Sequence, residues 1–366
     1  MEINMGPREP VYYGDYLQLD KLLDAQLPES KKIGSECHDE MLFILVHQVY
    51  ELWFKQIIHE LKSVYSTFGE KSVEEKSLST VVARLERIKK IQGLLLTQLE
   101  VMETMTPMDF LEFRDLLIPA SGFQSVQFRE IEILLGLGTK DRIAVDREYF
   151  LGRLSEKDRA KLLKIEEQPS FLKLLEGWLE RVPFTANQSF DFWSEYNKSV
   201  ETMLTRDEKI IRGNEDHFGK KEMEGQLAYL GITRQTFESL FNEDVHNELI
   251  EKRERKFSQK ATLNALFILL YRDEPILNQP FNILTALMDI DENFTTWRYR
   301  HSMMAHRMLG TKIGTGGSSG HEYLKRAAEN NRVFVDLYNL STFLIPRSLL
   351  PVLPDEVKKE LDFHFS

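Results

Sequence analysis

Two histidines fall among residues that should be apolar, and their chemistry depends on what they meet there. Phe294, Trp297, His301, Met304 and Met308 recur at steps of three and four, which places them on one stripe of a helix. His301 is therefore expected to face inward. His306 lies roughly 140° further around the same helix, so the two cannot grip one metal as an i, i+4 pair does. His47 sits in the most apolar helix of the chain, with Phe43, Val46 and Tyr50 at contact spacing. An imidazole in such surroundings needs a polar partner or a polar ligand. Two readings follow for each ring: a core histidine satisfied by backbone carbonyls, or a ligand. An inward histidine with aromatic and methionine neighbours fits a haem proximal ligand, and a second fits a distal pocket, but spacing leaves the choice open.

The loop after the His301 helix, Gly314-Thr315-Gly316-Gly317-Ser318-Ser319-Gly320, has four glycines in seven residues. Such a backbone can turn several amide N–H groups towards an anion, or can simply end the helix. It is not a nucleotide loop, since no Gly-Lys-Ser/Thr follows and Ser319 stands where GxGxxG needs its third glycine. Phe110 and Arg114 are four apart on a short helix between Pro107 and Pro119, so a ring and a guanidinium point the same way. Together they suit an aromatic amino acid, the fork taking its carboxylate; a surface pair with Asp109, Glu112 or Asp115 is the alternative. Arg129 could likewise hold an anion or pair with Glu130 or Glu132. A Ser-His-Asp order and an HExxH helix are not recognisable, which leaves acyl transfer and zinc hydrolysis unsupported.

These residues need a scaffold, and the periodicity predicts helices throughout. Residues 39–66 form a central helix and 77–105 an amphipathic one; Thr106-Pro107 restarts the chain and Pro119 closes that short helix. Another opens after Ser121-Gly122 and ends near Gly136, and Ser155 and Ser170 begin two more. No strand pattern is found, so the fold class is all-α, a large helical bundle of about a dozen helices. The stretch 187–260 is richer in charge and reads as a smaller helical excursion. Its basic run, Lys252, Arg253, Arg255 and Lys256, interleaved with Glu251 and Glu254, reads as a solvated helix face.

With 366 residues, 42% of them hydrophobic, the chain can bury a large core without staples. A formal net charge of -11 argues against a nucleic-acid partner. Cys37 is the only cysteine, so a reducing cytoplasm is the natural setting. The first residues lack the pattern of a secretory signal, and no apolar run is long enough to cross a membrane.

Five motifs in order carry a resemblance. They are Tyr13 to Asp20, His47 to Lys55, Phe113-Arg114-Asp115, Ser121 to Ser125 followed by Gln127-Phe128-Arg129, and Trp297 through His301 and His306-Arg307 to the glycine-rich loop. On these the chain resembles the tryptophan 2,3-dioxygenase family over nearly its whole length. The resemblance implies one all-α catalytic domain over residues 1–366, a haem pocket with one haem b per subunit, and a homotetramer. It further implies cleavage of the indole pyrrole ring of L-tryptophan with O₂ to N-formylkynurenine, the first step of the kynurenine pathway. By resemblance, His301 is the axial iron ligand and His47 the distal histidine that bonds the indole N–H. Arg114 and Thr315 hold the carboxylate, Thr315 also meeting the ammonium, and Phe43 and Phe110 flank the indole. Tyr13 and Tyr16 reach the pocket of a neighbouring subunit, while Ser121, Gly122 and Arg129 lie near the distal haem face and its propionates. Phe128 departs from some bacterial relatives, which carry Tyr there, and the central excursion matches poorly. A haem dioxygenase acting on another indole and a haem-free helical interaction protein are the alternatives.

Overall fold

Alternation of apolar residues at steps of three and four builds the molecule from helices. The computed structural model describes residues 9–138, 150–183, 186–187, 190–310, 312 and 320–361. Three short helices, α1 (Tyr13–Leu17), α2 (Leu19–Leu23) and α3 (Glu29–Lys32), lead into α4 (His38–Phe68). Buried Glu40 ties this arm down, its carboxylate accepting the backbone N–H groups of Glu29 and Ser30 at 2.8 and 3.0 Å. Along α4 the buried residues Tyr50, Phe54, Ile57, Leu61, Val64 and Phe68 form one continuous stripe. That stripe packs on α5 (Glu75–Met102), which buries Leu78, Val81, Leu85, Ile88, Leu95 and Leu99.

Thr106 and Asp109 close a capping box at the start of α6 (Pro107–Arg114), with proline in its first turn. The helix is shorter than Pro119 alone implies, since Asp115–Leu117 tighten into a 3₁₀ turn. Likewise α7 (Val126–Leu135) starts later than expected: Gly122–Gln124 form a second 3₁₀ turn, and Ser125 is the residue that caps α7, accepting from the Phe128 N–H at 3.2 Å. Gly136 ends it at φ 123°, where a Cβ would lie 2.7 Å from that of Leu172. Glycine is required there on both counts.

Beyond it lie α8 (Glu156–Glu166), α9 (Phe171–Leu179), α10 (Phe192–Gly213), α11 (Glu215–Phe218), α12 (Lys220–Phe241) and α13 (Glu243–Glu251). The last long elements are α14 (Gln259–Leu270), α15 (Asn278–Leu309) and α16 (Gly320–Asn330), followed by α17 (Val335–Asn339) and α18 (Asp355–Leu361). The all-α class holds, with one small exception: Ala186–Asn187 pairs antiparallel with Phe190–Asp191. The helix count exceeds a dozen because α1, α2, α3, α11 and α17 are too short to display a period. Helix α15 runs against α5 and α16, and its Ile283, Leu284, Leu287 and Ile290 are fully enclosed.

The basic run 252–256 is not helical, and although Lys252 and Arg253 are solvated as expected, Arg255 is not. Helix α13 ends at Glu251, Arg253 takes φ 61°, and Arg255 turns inward to donate to His246 Nδ1 at 2.6 Å and Ser239 Oγ at 3.0 Å. His246, fully buried, uses its other nitrogen to donate to the Phe257 carbonyl at 2.9 Å. Enclosed, non-helical backbone needs such partners. Asp336 accepts from the N–H groups of Lys256 and Phe257, both at 2.7 Å, and Asp291 of α15 accepts from those of Val333 and Phe334 at 3.0 Å. Replacing Asp291 by Ala strands two buried N–H groups at about 1–3 kcal/mol each. Urea unfolding should therefore show a loss of roughly 2–5 kcal/mol; a loss under about 1 kcal/mol would mean those amides find other partners.

Candidate active site

The site grows from α4 and α15, the two helices that carry the inward imidazoles. His47 is held by its own helix: Nδ1 donates to the Phe43 carbonyl at 2.7 Å. That bond selects the tautomer, so in the neutral ring Nε2 keeps its lone pair and can accept an N–H. The Phe43 ring lies 4.2 Å from the His47 ring, centroid to centroid. Phe43 also stacks on Phe110 at 5.6 Å and meets Phe113 edge-on at 5.6 Å, which docks α6 on α4. Arg114, one turn after Phe110, ends α6 with its side chain largely enclosed and its guanidinium 3.7 Å from Asp115.

His301 stacks on Trp297 at 5.2 Å and 19°. Trp297 in turn contacts Phe128 of α7 at 5.1 Å and Tyr50 of α4 at 5.9 Å. No ring nitrogen of His301 has a hydrogen-bond partner among the described residues. Solvent reaches both the His47 and the His301 ring although protein surrounds them, as it does side chains that line a recess. Burial, with a smaller contribution from the nearby His47, pushes His301 down to about 4. His47 is also lowered by burial, against the opposing pull of the Phe43 carbonyl and the Glu51 carboxylate. Both imidazoles are therefore neutral at pH 7, since a cation would lose its hydration there. His306 is exposed, in keeping with the stripe that chose His301.

The 121–125 turn is fastened to α4. Ser121 is half-buried with its N–H on Gln124 Oε1 at 3.1 Å, and Gly122 is exposed with open space where a Cβ would stand. Arg129 is buried and donates to Glu132 at 2.7 Å, the helix-internal pairing, with its guanidinium over the Phe150 ring. Glu132 also accepts from Arg298 of α15 at 2.8 Å, which cross-links α7 to the His301 helix. The sequence offered Glu132 as a partner of Arg129 but gave Arg298 and Glu51 no role of their own; each of those two lies within three or four residues of a singled-out one, on the same helix. Tyr13 and Tyr16, each 75% exposed, make no ring contact with the Phe43 cluster among the described residues. Thr315 lies outside the described residues.

A neutral imidazole without a hydrogen-bond partner among the described residues fits the donor that a haem iron would take, because the porphyrin would supply the iron's four other nitrogen ligands. Among the described residues no group of three His, Cys, Asp or Glu could hold a bare metal ion. Two cavities of about 660 and 670 Å³ lie elsewhere, one lined by α10 and residues 348–354, the other between α10 and α12. No helix of the described residues is long and apolar enough to cross a membrane.

Known proteins resemble this chain over nearly its whole length. The chain is similar to a tryptophan 2,3-dioxygenase of Alteromonas mediterranea, 50% identical over 97% of this chain and 98% of the relative. It is 49% identical to one of Bdellovibrio bacteriovorus, over 97% and 99% of the two chains. For tryptophan 2,3-dioxygenase B of Danio rerio the identity is 45%, over 98% and 88%. Fold, recess and relatives together define an all-helical dioxygenase. More particularly, the profile described as tryptophan 2,3-dioxygenase matches residues 4–344, and the chain belongs to that family.

Titration of the haem-free protein followed by histidine NMR should give a His47 midpoint below the ordinary 6.5, with Nδ1 carrying the proton in the neutral form. Acidification then charges the ring only below pH 6.5, and a midpoint at or above that value would show it solvated like a surface residue.

Proposed function

We propose that the protein binds one haem b through His301 and, with O₂, opens the pyrrole ring of L-tryptophan to give N-formylkynurenine. The observation that carries this reading is the His301 imidazole, surrounded by protein, without a hydrogen-bond partner among the described residues and near enough to His47 to feel its charge. Bound haem supplies the activation of O₂. The chain supplies placement. Arg114 offers a fork to the substrate carboxylate, assisted by Thr315, which also meets the ammonium. Phe43 and Phe110 flank the indole with apolar faces. His47 Nε2 accepts the indole N–H and so sets the ring's rotation about its side chain, and a fixed carboxylate leaves one enantiomer able to comply. Ser121 and Gly122 border the distal side, and Arg129, braced by Glu132, places positive charge where propionates would lie.

The same reading includes a homotetramer in which Tyr13 and Tyr16 of one protomer complete a neighbour's pocket. Its support is the apolar surface left uncovered on the arm, with Val11 at 74% and Tyr12 at 68% exposure, and on the outer face of α4, where Met41, Leu45, Val49 and Leu52 recur at helical spacing. The lone, unpaired Cys37 accords with a reducing cytoplasm.

Purified protein should show a Soret band that tryptophan perturbs. His301→Ala should lose the haem or shift that band, and an unchanged spectrum would refute the axial assignment. Arg114→Ala should raise the KM for L-tryptophan roughly 10- to 100-fold, the worth of one charge-assisted pairing. Turnover of indoles that lack the carboxylate should barely respond to the same substitution; a KM for tryptophan that stays put would remove the clamp.

A further inference from the structure

One carboxylate joins the His47 helix to the start of α7, and the reaction as proposed gives it no part. Glu51 stands one turn after His47 on α4. Its Oε1 accepts the Ser125 hydroxyl at 2.6 Å, and its Oε2 accepts the Gln127 side-chain amide at 2.7 Å. The same amide reaches the Glu51 carbonyl at 2.8 Å. Hydrogen bonds to a carboxylate are short and strong, and two of them converge on this one, with a third on the same residue's backbone carbonyl. Ser125 meanwhile caps α7 through its bond to the Phe128 N–H. The Phe128 ring packs on Trp297, the ring stacked on His301. A line of direct contacts thus runs from Glu51 to the helix that carries His301.

We infer that Glu51 is a positioning residue: it locks the 121–125 turn and the start of α7 onto the His47 helix, and so fixes where the indole lies relative to the reacting centre. The inference rests on the dioxygenase reading. Without the carboxylate, Ser125 still caps α7, so α7 persists while its seat on α4 loosens. Arg114 belongs to α6 and is untouched, which leaves the hold on the amino acid in place. The consequence is a split: turnover suffers and substrate affinity does not.

Glu51→Ala holoenzyme, with rates expressed per bound haem, should lose roughly 10- to 100-fold in kcat, as misplacements near 1 Å do, with KM for L-tryptophan within about threefold. Glu51→Gln keeps the volume and one acceptor oxygen and should recover much of the loss. Hydrogen exchange on the haem-free protein should speed at the amides of 121–128 in Glu51→Ala while those of α5 stay protected. Unchanged kcat per haem, or unchanged exchange at 121–128, overturns the inference. A general loss of stability with normal kcat per haem also overturns it, since a merely structural residue would behave so. If Glu51→Ala fails to fold, Gln127→Ala removes one arm of the clamp and faces the same two criteria. Failure of the wild-type protein to consume tryptophan would sink the dioxygenase reading instead, and the exchange experiment would still judge the clamp.

Discussion

Surrounding an imidazole with protein, so that its charged form is poorly hydrated, is the constraint on which this molecule turns. A histidine in bulk water is divided between two charge states near neutral pH. Protein packed around His301 holds it down to about 4, and the same cost acts on His47. What results is a pair of neutral rings with lone pairs to offer. At His47 a single backbone bond decides which nitrogen offers it, because Nδ1 is committed to the Phe43 carbonyl and Nε2 is left to accept.

Charged residues enclosed in the helices that flank the site are compensated in pairs. Glu132 sits between Arg129 and Arg298, while Glu130 is shared by Lys62 and Lys161. These contacts also lock geometry. Arg298 bridges α15 to α7 and donates to the Asn331 carbonyl at 2.9 Å, and Asp291 holds the backbone just beyond. Removing one member of such a set leaves the other charge buried and alone, which makes the sets obligatory once present. The apolar walls next to the imidazoles, Phe43, Phe110, Phe128 and Trp297, are built from aromatic contacts, with the Trp297 Nε1–H buried among them.

Much of this architecture is legible in the chain. Helix α4 was expected at 39–66 and spans His38–Phe68, and the Thr106 and Ser170 caps fall where read. Long helices are legible because burial of one face imposes a period over many residues. The start of α7 and the fate of the basic run were misjudged for a common reason. Ser121 and Ser125 are equally good caps by composition, and Arg255 is as polar as any surface residue until His246 and Ser239 surround it.

By itself the sequence determined the all-helical class, the inward face of His301, the shared face of Phe110 and Arg114, and the motifs that place the chain in its family. Each of those depends on neighbours within a turn or two. Only the tertiary structure decided that His47 comes near enough to His301 to act on its charge and that Phe110 stacks on Phe43 from another helix. It likewise decided that Glu51 reaches across to Ser125 and Gln127. Those contacts join residues tens to hundreds of positions apart, and no local periodicity encodes a distance in space between two helices.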